Sequence, residues 1–132
     1  MAKGRSDTAK NILNKAIELN PKYLRSYSIM AGILVGEGNL QKAEFFLKKS
    51  LEINPKNINA LVNLACVLKD SGNPKQAEKF LKDALKINPS FDFALTNLGA
   101  VLNELEKFDE GEQYLRKALS INSSSPMALN NL

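Results

Sequence analysis

The chain has 132 residues, 44% of them hydrophobic and 24% charged, and carries 18 basic against 14 acidic groups for a net charge of +4. That composition is ordinary for a soluble globular protein, and no apolar run approaches the roughly 20 residues that cross a bilayer. With one cysteine and no histidine, an intrachain disulfide, a Cys/His zinc site and a histidine-based triad are all excluded.

The lysines are dispersed, with at most two adjacent (Lys48 and Lys49). The mild basic excess therefore reads as a solvated outer surface, and no nucleic-acid partner is expected. The N-terminus, Met1-Ala-Lys-Gly-Arg-Ser-Asp, leads straight into an amphipathic stretch without the apolar region of a secretory signal. Together with the lone Cys66 this points to a reducing, cytoplasmic setting and no membrane partner.

The dominant signal is a period of 34 residues. Pro21, Pro55 and Pro89 close the phrases Ile17-Glu-Leu-Asn-Pro21, Leu51-Glu-Ile-Asn-Pro55 and Leu85-Lys-Ile-Asn-Pro89, and Leu119-Ser-Ile-Asn-Ser123 is a fourth copy. In chain order, residues 1–23 form a partial unit. Gly4 falls in a turn column, and Ala9, Leu13, Ala16 and Leu19 fall in the columns of a second helix. The first complete unit, 24–57, has apolar stripes Tyr27, Met30, Ala31, Leu34 and Ala43, Leu47, Ser50, Leu51, separated by Gly38-Asn39. In 58–91 the stripes are Leu61, Leu64, Ala65, Leu68 and Ala77, Leu81, Ala84, Leu85, around Asp70-Ser-Gly-Asn-Pro74.

In 92–125 they are Leu95, Leu98, Gly99, Leu102 and Gly111, Leu115, Ala118, Leu119. The turn of that unit, Glu106-Lys107, lacks glycine and is expected to be stiffer or distorted. Residues 126–132 begin a further first helix, since Met127-Ala-Leu-Asn-Asn-Leu132 repeats Asn59-Ala-Leu-Val-Asn-Leu64. Spacings of i, i+3, i+4 and i+7 make each stripe one face of a helix, predicted near 24–37, 40–53, 58–71, 74–87, 92–105 and 108–121. Each second helix ends before an Asn-Pro step, where proline disfavours helical geometry in the preceding residue. Neither end carries a polar capping element, so a segment of a longer repeat protein is expected, with possible end-to-end self-association through exposed apolar ends.

The period, the small-residue columns (Ala31, Ala65, Gly99; Ala43, Ala77, Gly111), the paired amphipathic helices and the closing prolines resemble the tetratricopeptide repeat over nearly the whole chain. Ser123, Gly111, Leu61 and Leu95 depart from the usual pattern without disturbing it. The resemblance implies an all-α fold, a right-handed superhelical solenoid of antiparallel helix pairs treated as a single domain over 1–132. Its first helices would line a concave groove that binds a peptide or partner protein. The wording of Ala60-Leu-Val-Asn-Leu-Ala65 and Ala94-Leu-Thr-Asn-Leu-Gly99 is also similar to repeats of O-linked N-acetylglucosamine transferases.

Groove candidates are the polar or variable residues between the core stripes. Asn63, Asn97 and Asn131 follow one another at 34-residue spacing. An amide offers both a donor and an acceptor, so such a ladder pairs with the backbone of an extended peptide, or else it caps and bridges neighbouring units. Asn59, Arg25 and Phe93 lie near helix starts, and Lys69, Asn103 and Glu104 near helix ends. Phe93 is either an aromatic anchor or packs near Phe91. Family members that read a C-terminal carboxylate use Lys, Asn and Arg on successive first helices. The matching columns here hold Ser28 and Gly32, then Asn63, then Phe93 and Asn97, and only Asn63 fits.

Acidic neighbours such as Asp109 and Glu110 suit a helix start and propose no chemistry. Phosphate loops and nucleophile motifs are absent, so no enzyme activity and no cofactor are expected. The leading function is a non-catalytic interaction module. The alternatives are a substrate-recruiting arm of a larger enzyme such as a glycosyltransferase, and a self-associating scaffold.

Overall fold

Helix follows helix through the computed structural model, which describes residues 3–121. The elements are α1 (Lys3–Leu19), α2 (Leu24–Gly36), α3 (Leu40–Ile53), α4 (Ile58–Asp70), α5 (Pro74–Ile87), α6 (Asp92–Glu104) and α7 (Phe108–Ile121), with no strand among the described residues. The helices α2 to α7 start where the apolar periodicity places them, and α2, α4 and α6 stop one residue earlier than predicted, whereas Gly4, placed in a turn column by the period, lies within the first turn of α1. The result is an all-α helical repeat.

The chain forms two compact units, Met1–Ala60 and Leu61–Leu132. In the first, α2 packs on α1 and α3. Met30, Ala31 and Leu34 of α2 and Ala43 and Leu47 of α3 are buried there. Tyr27 is buried too, and its hydroxyl donates to the carbonyl of Pro21 at 2.6 Å, which ties the α1–α2 connection down. Glu37, at the end of α2, accepts from Ser6 Oγ at 2.6 Å and Lys10 Nζ at 2.9 Å of α1.

In the second unit α6 packs on both α5 and α7. Ala77, Leu81 and Ala84 of α5, Leu95, Leu98 and Leu102 of α6, and Leu115 and Ala118 of α7 are fully enclosed.

The turns within each helix pair share one hydrogen-bond scheme. After α2, Gly38 N–H donates to Val35 O (3.0 Å) and Asn39 N–H to Leu34 O (2.8 Å). After α4, Gly72 N–H donates to Lys69 O (3.1 Å) and Asn73 N–H to Leu68 O (2.8 Å). This closure satisfies carbonyls that a helix end leaves open, and it needs a left-handed residue. Gly38 and Gly72 supply it, with φ of 78° and 86°. The Glu106 turn was expected to be distorted. Instead Glu106 N–H donates to Asn103 O (3.0 Å) and Lys107 N–H to Leu102 O (2.8 Å), as in the other two turns. The backbone geometry is kept, and the cost falls on Glu106, which adopts φ 63°.

The connections after α3 and α5 are equally uniform. Asn54 and Asn88 are extended, with φ near −137° and −136°, and their side chains accept from Lys56 N–H and Ser90 N–H, both at 3.1 Å. Asn57 then caps α4, its Oδ1 accepting from Ala60 N–H at 3.2 Å.

The small-residue columns mark close helix approaches. A Cβ added at Gly99 would press on Leu115 Cγ, lie 2.7 Å from Leu115 Cδ2 and 3.2 Å from the Gly111 carbonyl. One added at Gly111 would lie 3.1 Å from the Gly99 carbonyl. At this crossing the two helices meet nearly backbone to backbone.

Gly99→Ala should therefore destabilise the protein by about 1–2 kcal/mol, overpacking outweighing the better helix propensity of alanine. Gly32, mid-helix in α2, has open space around its Cα. Gly32→Ala should stabilise by up to about 1 kcal/mol. Urea denaturation midpoints compare the pair. Glu106→Gly should stabilise as well, by about 0.5–1 kcal/mol, because it relieves the left-handed conformation at the α6 end.

Candidate functional site

Residues at i, i+4, i+7 and i+11 share one face of a helix. On α4 that face holds Asn59, Asn63, Cys66 and Asp70, and on α6 it holds Phe93, Asn97, Ala100 and Glu104. Asn59, Asn63 and Asp70 are exposed and Cys66 is half-buried. Phe93 is 42% exposed, its ring centroid 6.4 Å from that of Phe91 in a tilted arrangement, so it is both packed and presented. Glu104 is exposed, and Asn97 is only 4% exposed.

Asn97 and Asn63 differ more than their shared column suggests. Asn97 Nδ2 donates to the Phe93 carbonyl at 2.7 Å, and its Oδ1 faces Cys66 Sγ of α4 at 3.5 Å. It joins α4 to α6 and braces the turn of helix that carries Phe93. Asn63 makes no side-chain hydrogen bond among the described residues and leaves its amide open to solvent. Asn131 lies outside the described residues. Burial pushes the Cys66 thiol up, with Asp70 acting in the same sense and Lys69 against it. The group therefore stays protonated at neutral pH and donates to Asn97.

The remaining candidates are dispersed. Lys69 and Asn103 sit one position before Asp70 and Glu104, roughly 100° round the helix. Lys69 is half-buried. Asn103 faces α7, where its Oδ1 would lie 2.6 Å from a Cβ on Gly111. In the first unit Arg25 is exposed at the start of α2, on the face that also shows Ile29, Gly32 and Gly36.

Two further features escaped the sequence reading. In the first unit Met30, Leu34, Phe45 and Phe46 line a depression of about 500 Å³ with Lys10, Asn14 and Lys42 around it. Phe46 turns inward towards Tyr27, whereas Phe45 is 54% exposed. Adjacent phenylalanines on a helix cannot both face the core, and that was the available signal. In the second unit Glu78 of α5 is a hub. It meets Lys82 at 2.7 Å and Lys107 at 3.1 Å, and Lys82 also reaches Glu110 of α7 at 3.2 Å. The hydrogen bond from Lys82 is the main cause that holds the Glu78 carboxyl below its usual value, and burial opposes it.

The chain belongs to the tetratricopeptide repeat family: a model of that repeat matches residues 34–100, and two others match 94–122 and 1–23. No curated protein matches it in sequence. A crystal structure of MamA superposes with a TM-score of 0.88 at 20% identity, covering 98% of this chain and 75% of that one. The first TPR of Spaghetti (RPAP3), bound to the HSP90 peptide SRMEEVD, superposes with a TM-score of 0.80 at 20% identity over 83% of this chain and 86% of that one. These likenesses establish the fold. No described helix is long and apolar enough to cross a membrane.

The Glu78 hub has a pH signature. Its folded carboxyl titrates below the ordinary value of 4.5, so its contribution is present above that value and is lost as pH falls through the folded one. The gap in thermal midpoint between wild type and Glu78→Gln should be widest near neutral pH and should narrow as pH falls below 4.5.

Proposed function

We propose that this protein is a non-catalytic interaction module that binds an extended segment of a partner protein on the exposed face of the first helices α4 and α6. The complete repeats are 24–57, 58–91 and 92–125. The observation that carries the reading is the open Asn63 amide on α4, set beside a face of α6 that presents Phe93. A free amide pairs with both groups of a peptide unit, which gives affinity with little dependence on sequence. Phe93 offers a rigid apolar anchor of the kind that concentrates binding energy. Asn97 is assigned a positioning role, because its own amide is already engaged with Phe93 O and Cys66. Asp70 and Glu104 at the helix ends add acidic selectivity, with Lys69 next to Asp70 and Asn59 one turn before Asn63 on α4. The peptide-bound structural neighbour supports the class of ligand. The Lys–Asn–Arg carboxylate pattern is missing here, so an internal segment suits this face better than a chain terminus.

A peptide array probed with wild type, Asn63→Ala and Phe93→Ala tests the reading. Asn63→Ala should weaken the peptides held on the α4–α6 face by about 3–10-fold, the worth of one or two hydrogen bonds. Phe93→Ala should remove a subset defined by one apolar position. Equal binding of the same peptides by all three proteins would overturn the assignment.

A further inference from the structure

We propose that the α5–α7 side of the second unit is a separate docking surface, and that its occupant is an acidic protein segment studded with apolar residues. Lys75, Lys79, Lys82 and Lys86 follow one another along one face of α5 at spacings of three and four residues. With Lys107 and Leu105 they line a depression of about 620 Å³, into which Glu78 and Asp83 also face. A second depression of about 350 Å³ shares Lys82 and Lys86 and adds Lys117 to an apolar lining of Leu85, Pro89, Leu95 and Tyr114. The two are therefore neighbours, with Lys82 and Lys86 between them.

The carboxylates do not neutralise this surface. Glu78 and Glu110 are engaged with Lys82 and Lys107, and Asp83 reaches Lys86 only at 3.9 Å. Lys75, Lys79 and Lys117 have no ion pair among the described residues.

The fold does not ask for these lysines. One period earlier, α3 has Gln41, Phe45, Lys48 and Glu52 in the same columns, and one period later α7 has Asp109, Gln113, Arg116 and Ser120. Like charges three and four residues apart weaken a helix. Lys82 is accounted for by Glu78 and Glu110, but Lys75 and Lys79 have no acidic partner among the described residues and no packing role, and they are held against stability, as binding surfaces commonly are.

Charge complementarity selects an acidic ligand, and the rest of the lining selects among acidic ligands. The carboxylates of Glu78, Asp83 and Glu110 would face a uniformly charged phosphate backbone unfavourably. The accessible apolar lining of Leu85, Pro89, Tyr114 and Leu105 offers nothing to a phosphate, but it accepts side chains between the acids of a peptide. This surface is distinct from the Asn63 face, and the two fail independently.

Fluorescence anisotropy on the full chain tests the proposal. The labelled ligand is a short peptide of glutamates with leucine at every third or fourth position, and oligoglutamate and single-stranded oligonucleotide serve as comparisons. The Glu/Leu peptide should bind more tightly than both, and binding should weaken as salt rises. Lys79→Glu/Lys86→Glu should weaken it by about tenfold or more, and Asn63→Ala should leave it unchanged. The milder Lys75→Ala/Lys79→Ala pair should weaken binding while keeping or raising the thermal midpoint, so loss of affinity is separable from loss of fold. Absence of binding, indifference to both lysine variants, sensitivity to Asn63→Ala, or equal binding of the oligonucleotide or oligoglutamate would each overturn it.

Discussion

Two absent methyl groups set the spacing of α6 on α7. Gly99 and Gly111 place backbone against backbone, and Leu115 takes the volume that a Cβ would occupy. The consequence is larger here than in a protein with one central core. A helical repeat is held by narrow apolar stripes, each packed only against its neighbours. The distance between paired helices therefore decides whether those stripes interlock. The corresponding positions elsewhere, Ala31 and Ala43 in α2 and α3 and Ala65 and Ala77 in α4 and α5, are all buried. Each helix pair thus has a small residue on both members at this register, and the last pair takes the requirement to its limit with two glycines.

The turns obey a second constraint, one of hydrogen bonding. Ending a helix leaves carbonyls without partners, and the same 34-residue column closes all three first helices in the left-handed region. That Glu106 adopts the conformation of Gly38 and Gly72 shows which factor dominates. The pair of bonds to Asn103 O and Leu102 O outweighs the steric cost of a side chain at positive φ. Sequence reasoning took the missing glycine as a sign of distorted geometry. It could not weigh that local penalty against two hydrogen bonds and the packing of α6 on α7.

The period made the helices and the inward stripes legible, because burial in a helix repeats with its pitch and the pitch is regular. It also marked polar positions between the stripes, of which Asn59, Asn63 and Glu104 are exposed. It failed to distinguish residues within a column. Asn63 and Asn97 are the same residue at the same register, yet one is open and the other closed. The difference arises on another helix, where Cys66 meets Asn97 Oδ1, and from the carbonyl of Phe93 one turn away. Asn103 diverges for a related reason, because Gly111 opens a space on α7 that its side chain faces. Side-chain environment is set by neighbours distant in sequence, and one helix's pattern does not contain it.

A repeat carries its own control experiment. Columns that hold one residue type through successive units, such as the small residues at the crossings and the asparagines before Pro21, Pro55 and Pro89, report what the scaffold needs. Columns that change from unit to unit are free of that need and are available for recognition. By this measure the Asn59–Phe93 column and the Gln41–Lys75–Asp109 column are of one kind, though they lie on first and second helices respectively. The first-helix column gains an exposed aromatic ring, and the second-helix column gains a lysine that heads a run of four. Neither change adds to the buried stripes, and Lys75 and Lys79 repel each other along their helix without an acidic partner of their own among the described residues. The chemistry that separates one repeat of this chain from the next is thus carried on both faces of the helix pairs, and the buried stripes between them are left to hold the fold.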